Sequence, residues 1–189
     1  ASEKQILPKK KPPVTNEIKY RNISELEPTK KAWLLDTSEK VYITNKDKIL
    51  PNDVIIAMAS GETGWGTSGF LNKGSNNLFN FQSFNNEEKS IAASGSNAKI
   101  KVFEKPEDSI TELLTWIQTK KSYAPVRQEI ALYNDGKGSK ERIIKAIANT
   151  GFAEDDKWAN KITTILNTRI DGKHKEELNN LYNSLFVDN

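Results

Sequence analysis

Ala57-Met58-Ala59-Ser60-Gly61-Glu62-Thr63-Gly64-Trp65-Gly66-Thr67-Ser68 is a run in which two kinds of chain meet. On its amino side Val54, Ile55, Met58 and Ala59 recur at helical spacing, behind a Pro51 placed where a missing N–H costs a helix nothing. Residues 54–59 are apolar nearly all round, so the helix they predict is buried. On its carboxyl side Gly61, Gly64 and Gly66 accumulate, which predicts that the helix stops near residues 60–64. One acid, Glu62, stands at this junction. The negative end of the helix dipole and burial beside Trp65 both disfavour its ionised form, which is the condition a general acid needs. The glycines keep the surrounding wall low enough for a bulky substrate to approach. The competing reading is an exposed carboxylate beside a glycine-rich turn.

Outward from this run the chain divides into a helical body and one irregular excursion. Upstream, Trp33, Leu34, Leu35 and Val41 predict a first helix, although Val41-Tyr42-Ile43-Thr44 also fits a short strand. Downstream, residues 63–99 are rich in Gly, Asn and Ser. Within and just beyond them, Ser90-Ile91-Ala92-Ala93 and Ala98-Lys99-Ile100-Lys101-Val102-Phe103 flank the turn-like Ser94-Gly95-Ser96-Asn97 and predict a small hairpin. Everything beyond is helical by pattern. Ile110, Leu113, Leu114 and Ile117 form one stripe, introduced by Pro106 or by a Ser109/Glu112 capping box. Ile143, Ile144 and Ile147 form a second, ended by Gly151; Trp158, Ile162, Ile165 and Leu166 form a third; Leu178, Leu181, Tyr182 and Leu185 form a fourth. The predicted class is mainly α (α+β), a helical body with one small β-hairpin.

Composition narrows the chemistry. The chain of 189 residues has room for one core of ordinary size. It has no cysteine and one histidine, which excludes a disulfide framework, a cysteine nucleophile and a zinc site built on cysteines or several histidines. A Ser-His-Asp site would have to use His174, which sits in the charged stretch Gly172-Lys173-His174-Lys175. No metal-ligand spacing stands out, so neither a metal nor another cofactor is expected, and carboxylates are left as the chemistry of a hydrolase. Lys4, Lys9, Lys10, Lys11 and Lys19 against Glu3 and Glu17 place the whole net charge of +3 in residues 1–20, a Lys/Pro-rich tail or linker. Residues 21–189 form one electroneutral domain, which argues against nucleic acid as a partner. The tail is free to touch an anionic wall or membrane surface, with a plain solvated linker as the competing reading. No apolar run is long enough to span a membrane. The first residue is Ala1 rather than Met, which predicts a processed amino terminus, with a trimmed chain as the alternative.

Four ordered pieces of residues 49–167 resemble the glucosaminidase family of peptidoglycan hydrolases. The helix ending Ala-Ser-Gly-Glu-Thr-Gly-Trp-Gly-Thr-Ser, followed by Asn76-Asn77-Leu78-Phe79, resembles that family's Glu-Ser-Gly-Trp-Gly-x-Ser and Asn-Leu-Phe-Gly. Phe103-Glu104-Lys105-Pro106-Glu107-Asp108-Ser109-Ile110 is similar to its strand-to-helix junction, and Lys121-Ser122-Tyr123-Ala124 to its Tyr-Ala stretch. The segment from Gly151-Phe152-Ala153 through Trp158 to Lys161-Ile162 resembles its Gly-Tyr-Ala-Thr-Asp-x-x-Tyr-x-x-Lys-Ile signature. The resemblance implies a lysozyme-like fold, with a helical lobe, a small β lobe and a sugar-binding groove between them. It implies peptidoglycan glycan strands as partner and Glu62 as proton donor to the β-1,4 link after N-acetylglucosamine. It also implies an exported protein, periplasmic or extracellular and associated with the cell wall, with its signal peptide removed.

The sequence departs from that pattern at named places. Asn80 stands where the family has glycine, and Phe152 and Trp158 stand where it has tyrosines. Phe152 and Trp158 can stack on a sugar or pack in the core, but they bring no hydroxyl; Tyr123 or Tyr133 would have to supply one. Trp65, Asn77, Phe79, Tyr123, Phe152 and Trp158 are the expected substrate-binding residues, with core packing or turn closure as the competing roles. A second catalytic carboxylate has four candidates, Glu87, Glu88, Glu104 and Glu154, and the substrate's own acetamido group is the alternative to all four. Ala131-Leu132-Tyr133-Asn134-Asp135-Gly136 resembles a lytic transglycosylase motif, which keeps that activity as a rival beside a muramidase and a non-catalytic wall-binding protein.

Overall fold

The chain's first described helix, α1 (Pro28–Thr44), opens on Pro28 and closes on Asn45. The computed structural model describes residues 25–186 except positions 96, 154 and 156, so the basic tail and Glu154 lie outside the described residues. Helix α1 runs through Val41-Tyr42-Ile43-Thr44, because Val41 and Tyr42 are buried on its inner face; the strand reading of these residues is wrong. Asn45 is fully buried and links α1 to the next helix. Its Nδ2 donates to the Leu50 carbonyl and to Asn52 Oδ1, both at 2.7 Å, and its Oδ1 accepts from the Ile49 N–H at 3.1 Å.

Helix α2 (Asn52–Thr63) is the centre of the molecule. Every residue from Val54 to Ser60 is buried. Burial of each large apolar side chain here contributes about 1.5–3 kcal/mol. The helix ends on Gly64, which takes the left-handed conformation at φ 56°. A single turn, α3 (Gly69–Asn72), follows, capped by Ser68 accepting from the Leu71 N–H.

The β excursion is a two-stranded antiparallel hairpin. Strands β1 (Ser90–Ala92) and β2 (Lys99–Lys101) pair Ser90 with Lys101, Ile91 with Ile100 and Ala92 with Lys99. The segment after Leu78-Phe79 runs along the far edge of β2: the Lys101 N–H donates to the Phe81 carbonyl at 2.9 Å and the Ser83 N–H to the Lys99 carbonyl at 2.8 Å. The edge of β2 is thus covered rather than left open.

The rest is helical. Helix α4 (Pro106–Thr119) begins at Pro106, and no side chain caps it. Ser109 does not form a capping box with Glu112. It is buried, donates to the Pro106 carbonyl and accepts from the Leu78 N–H, which pins the Asn-Leu-Phe segment to α4. A short 3-10 turn (Lys121–Tyr123) leads into α5 (Ala124–Asn134), then α6 (Lys140–Ile147), capped by Ser139. A wide π-type turn over Ala148–Phe152, with Gly151 at φ 87°, precedes α7 (Trp158–Ile165). A second such turn over Leu166–Lys173 leads to α8 (Lys175–Phe186). Among the described residues no helix is long and apolar enough to cross a membrane. Helices α1 and α7 pack on α2, α4 packs on α1, and the hairpin stands to one side of this bundle.

Candidate active site

The turn after Glu62 is built from three successive left-handed residues, Gly64, Trp65 and Gly66, at φ 56°, 59° and 82°. Thr63 locks it: its hydroxyl donates to the Ala59 carbonyl at 2.8 Å and accepts from the Gly66 N–H at 3.0 Å. Gly66 is required twice over. Its φ suits glycine, and a Cβ there would lie 2.2 Å from Cδ1 of the Trp33 indole. At Gly61 a Cβ would lie 2.6 Å from Cδ1 of Ile162, so the absent side chain lets α7 approach α2 closely. That approach brings the first residue of α7, Trp158, to Glu62.

Glu62 is half-buried in the last turn of α2 and is held on both carboxylate oxygens. Trp158 Nε1 donates to Oε1 at 2.5 Å. Asn80 Nδ2 donates to Oε2 at 3.0 Å and to the Glu62 carbonyl at 2.9 Å. A carboxyl oxygen has two lone pairs, so these bonds fix the group in place whether or not it carries a proton. Asn80 sits at φ 55°, a conformation that asparagine tolerates better than most residues. The departure from glycine at this position therefore keeps the backbone and adds an N–H donor to the acid.

Asn80 also lines a cleft of about 420 Å³, whose lining does not include Glu62 itself. Its walls include Phe79, Phe81, Trp116, Tyr123, Thr150 and Phe152, with Phe84 and Lys120 at its exposed rim. The rings form a chain: Phe81 lies 4.5 Å from Trp116 and 6.0 Å from Phe152, centre to centre, and Phe152 lies 5.1 Å from Trp158. Lys120 Nζ sits 3.4 Å over the Trp116 ring. Tyr123 is 3% exposed, and burial raises its phenol above the ordinary value, with the neighbouring Thr150 side chain opposing the rise. This mixture of aromatic faces and a few polar groups suits a neutral, ring-shaped ligand.

The structure sorts the residues expected to bind substrate. Tyr123, Phe79 and Phe152 line the cleft, although Phe79 is only 2% exposed and mostly supports the wall. Asn77 is not available to a ligand. It is fully buried, its Nδ2 donates to the Phe81 and Lys101 carbonyls, and its Oδ1 accepts from the Phe79 and Phe81 N–H groups. Its task is to shape the loop that carries Asn80. Trp158 is not a stacking platform, because 96% of it is covered; it is a core residue whose indole N–H positions Glu62. Trp65 is partly buried against the core and is not among the residues lining the cleft.

The candidate second carboxylates separate as clearly. Glu88 accepts from Ser83 Oγ at 2.9 Å and pairs with Lys101 at 3.3 Å; the Ser83 bond, with Lys101 beside it, holds its carboxyl below the usual range. Glu87 is exposed in the turn, and Glu104 is exposed beyond β2, its backbone carbonyl taken by Asn76. None of these three lines the cleft, and Glu154 lies outside the described residues. Tyr133 belongs elsewhere, in a hollow with Tyr42 and Tyr182, so it supplies no hydroxyl to the cleft. His174 is buried beside Glu177, and desolvation depresses its basicity. The residue that sequence reasoning noticed but did not place in the site is Asn80. Its position directly after Leu78-Phe79 was the available signal.

Solved structures share this fold. A peptidoglycan hydrolase from Sphingomonas sp. A1 superposes with a TM-score of 0.63 at 21% identity, over 84% of this chain and 97% of that one. The catalytic domain of the autolysin Auto from Listeria monocytogenes gives 0.58 at 15% identity, over 90% and 99%. A glycoside hydrolase domain of Salmonella typhimurium FlgJ gives 0.54 at 21% identity, over 73% and 95%. Comparison with curated protein sequences gives no match. The family model for glucosaminidases, described as mannosyl-glycoprotein endo-beta-N-acetylglucosaminidase, matches residues 39–170, more than half of the sequence, and the chain belongs to that family.

Proposed function

We propose that the protein hydrolyses peptidoglycan glycan strands at the β-1,4 bond after N-acetylglucosamine, outside the cytoplasm at the cell wall, with Glu62 as general acid. The observation that carries this reading is the placement of Glu62: an acid at the end of a buried helix, held on both oxygens by Asn80 and Trp158, beside a cleft walled with aromatic rings. Family membership and the peptidoglycan hydrolases that share the fold support the same reading. In the reaction the carboxyl proton passes from Glu62 to the glycosidic oxygen as the bond to the sugar breaks. The developing positive charge on the sugar then needs a nucleophile. Its source is one of Glu87, Glu88, Glu104 and Glu154, acting on a water or on the sugar, or the acetamido oxygen of the sugar itself.

Mass spectrometry of digested peptidoglycan tests the bond. A reducing N-acetylglucosamine end is expected. A 1,6-anhydro end would identify a transglycosylase and a reducing muramic end a muramidase, and either result would overturn the reading. The variants Glu87→Gln, Glu88→Gln, Glu104→Gln and Glu154→Gln separate these sources: a loss of at least a hundredfold in kcat in one of them assigns that carboxylate, and changes within about threefold in all four assign the acetamido group.

A further inference from the structure

The aromatic cleft does not end at its far wall. Ser122 and Thr150 line it and also line a second hollow, of about 400 Å³, on their other side. The two hollows therefore share a rim formed by the 3-10 turn before α5 and the π-type turn after α6. The second one is chemically different. Its walls carry Gln128 and Glu129 from α5, Arg142 and Lys145 from α6, and Asn149 from the turn, with no aromatic ring among them. Arg142 gives one nitrogen to Glu129 at 3.0 Å, and Lys145 pairs only loosely with Glu141, at 3.7 Å. Both cations remain more than half exposed, at 53% and 59%. The hollow thus offers two accessible cations, two amides and one carboxylate directly beside a cleft built for uncharged rings.

That division matches the chemistry of the polymer named above. Its glycan chain is a string of sugar rings, and its branches are short peptides that carry carboxylates, amides and an amine. We propose that the hollow between α5 and α6 binds the acidic peptide branch of a strand whose sugars occupy the aromatic cleft, an assignment that rests on the reading of the cleft as a peptidoglycan site. Arg142 and Lys145 take the branch carboxylates, with the guanidinium of Arg142 forked for a second pair of bonds. Gln128 and Asn149 pair with its amide groups. The Ser122–Thr150 rim is where the branch leaves the sugar.

The test compares two substrates, soluble glycan strands that keep their peptides and the same strands stripped of them by an amidase. The variants are Arg142→Gln with Lys145→Gln, and Lys145→Gln alone, which leaves the Arg142–Glu129 pair intact and guards against loss of fold. For the double variant the KM on peptide-bearing strands is expected to rise five- to tenfold with kcat kept, and for the single variant two- to threefold. On stripped strands both variants are expected to match the wild type within twofold. Equal changes on the two substrates, or no change on either, would overturn the inference while leaving the cleavage reaction standing. A wild type that prefers stripped strands would do the same. A wild type that cleaves neither substrate would overturn the reading of the cleft and this inference with it.

Discussion

Two places in the molecule present glutamates to solvent beside loops, and they have opposite characters. At the carboxyl end of α2, Glu62 is bound by an indole N–H from α7 and an amide N–H from the loop after Leu78-Phe79. No cation neutralises it among the ion pairs of the described residues. In the hairpin, Glu88 is tied to Ser83 and to Lys101, which is itself shared with Glu112, and Glu87 has only its backbone N–H engaged. The first arrangement fixes a carboxyl by hydrogen bonds from two uncharged donors. The second uses charge to fasten a loop. In the function proposed above, the chemistry sits at the end of α2, and the ion pairs beside the hairpin fasten a loop.

The strongest way to break this contrast is to neutralise each acid in turn. Glu62→Gln is expected to lower kcat/KM by roughly 10²–10⁴, the usual contribution of a general acid. Glu87→Gln and Glu88→Gln are expected to stay within about twofold on the same glycan substrate. A fall at Glu88 comparable to that at Glu62 would move the chemistry to the hairpin.

A second pair of variants addresses the turn that carries Glu62. Gly66→Ala drives a methyl into the Trp33 ring and strains a left-handed residue, at a cost of about 2–4 kcal/mol. In a domain of this size that lowers Tm by on the order of 10 °C. Gly69→Ala, where the new methyl meets nothing within 4 Å and φ is ordinary, is expected to change stability by less than about 0.5 kcal/mol. Thermal unfolding followed by circular dichroism reads both.

The two donors to Glu62 come next. Trp158→Phe keeps a buried ring and removes the N–H, and Asn80→Gly keeps the left-handed backbone and removes the amide. Each is expected to lower kcat by about tenfold with KM nearly unchanged, because the group lost is a hydrogen bond that orients the carboxyl. A rise in KM with kcat kept would make them binding residues instead. The smallest effect belongs to the hairpin: Lys101→Met should cost about 1–2 kcal/mol, more than an isolated surface pair, because it leaves both Glu88 and Glu112 without their shared partner. Denaturant titration measures it.

Much of this contrast was legible in the sequence, for physical reasons that differ between elements. Helix α2 declared itself because it is buried all round and is stopped by glycines, so propensity, pattern and capping agree. The hairpin did so because an alternating Lys99-Ile100-Lys101 faces a glycine turn. Helix α5 was harder to see as a separate element, since only Val126 and Ile130 are buried along it. The end of α1 was ambiguous because Val41 and Ile43 favour strands, and it is the burial of Val41 and Tyr42 on one helical face, with Ile43 left half exposed, that resolves it as helix. Glu62 was legible from its place on the chain. The roles of Trp158 and Asn77 were not, because an aromatic ring on an apolar stripe and an asparagine in a turn look the same whether they meet a ligand, the core or a catalytic group. What separates them is long-range geometry: the closeness of α7 to α2 at Gly61, and the two carbonyls, Phe81 and Lys101, that converge on Asn77.

The central claim is that Glu62 delivers a proton to the departing oxygen, and the most direct measurement varies how much that oxygen needs one. Wild type and Glu62→Gln are compared on N-acetylglucosamine oligosaccharides whose reducing end carries either another sugar or a dinitrophenyl group, which departs without protonation. The account predicts a loss of at least a hundredfold for the variant on the sugar leaving group and a loss of less than about tenfold on the dinitrophenyl one. Equal losses on both would contradict it, because they would assign Glu62 to a step that does not involve the leaving group.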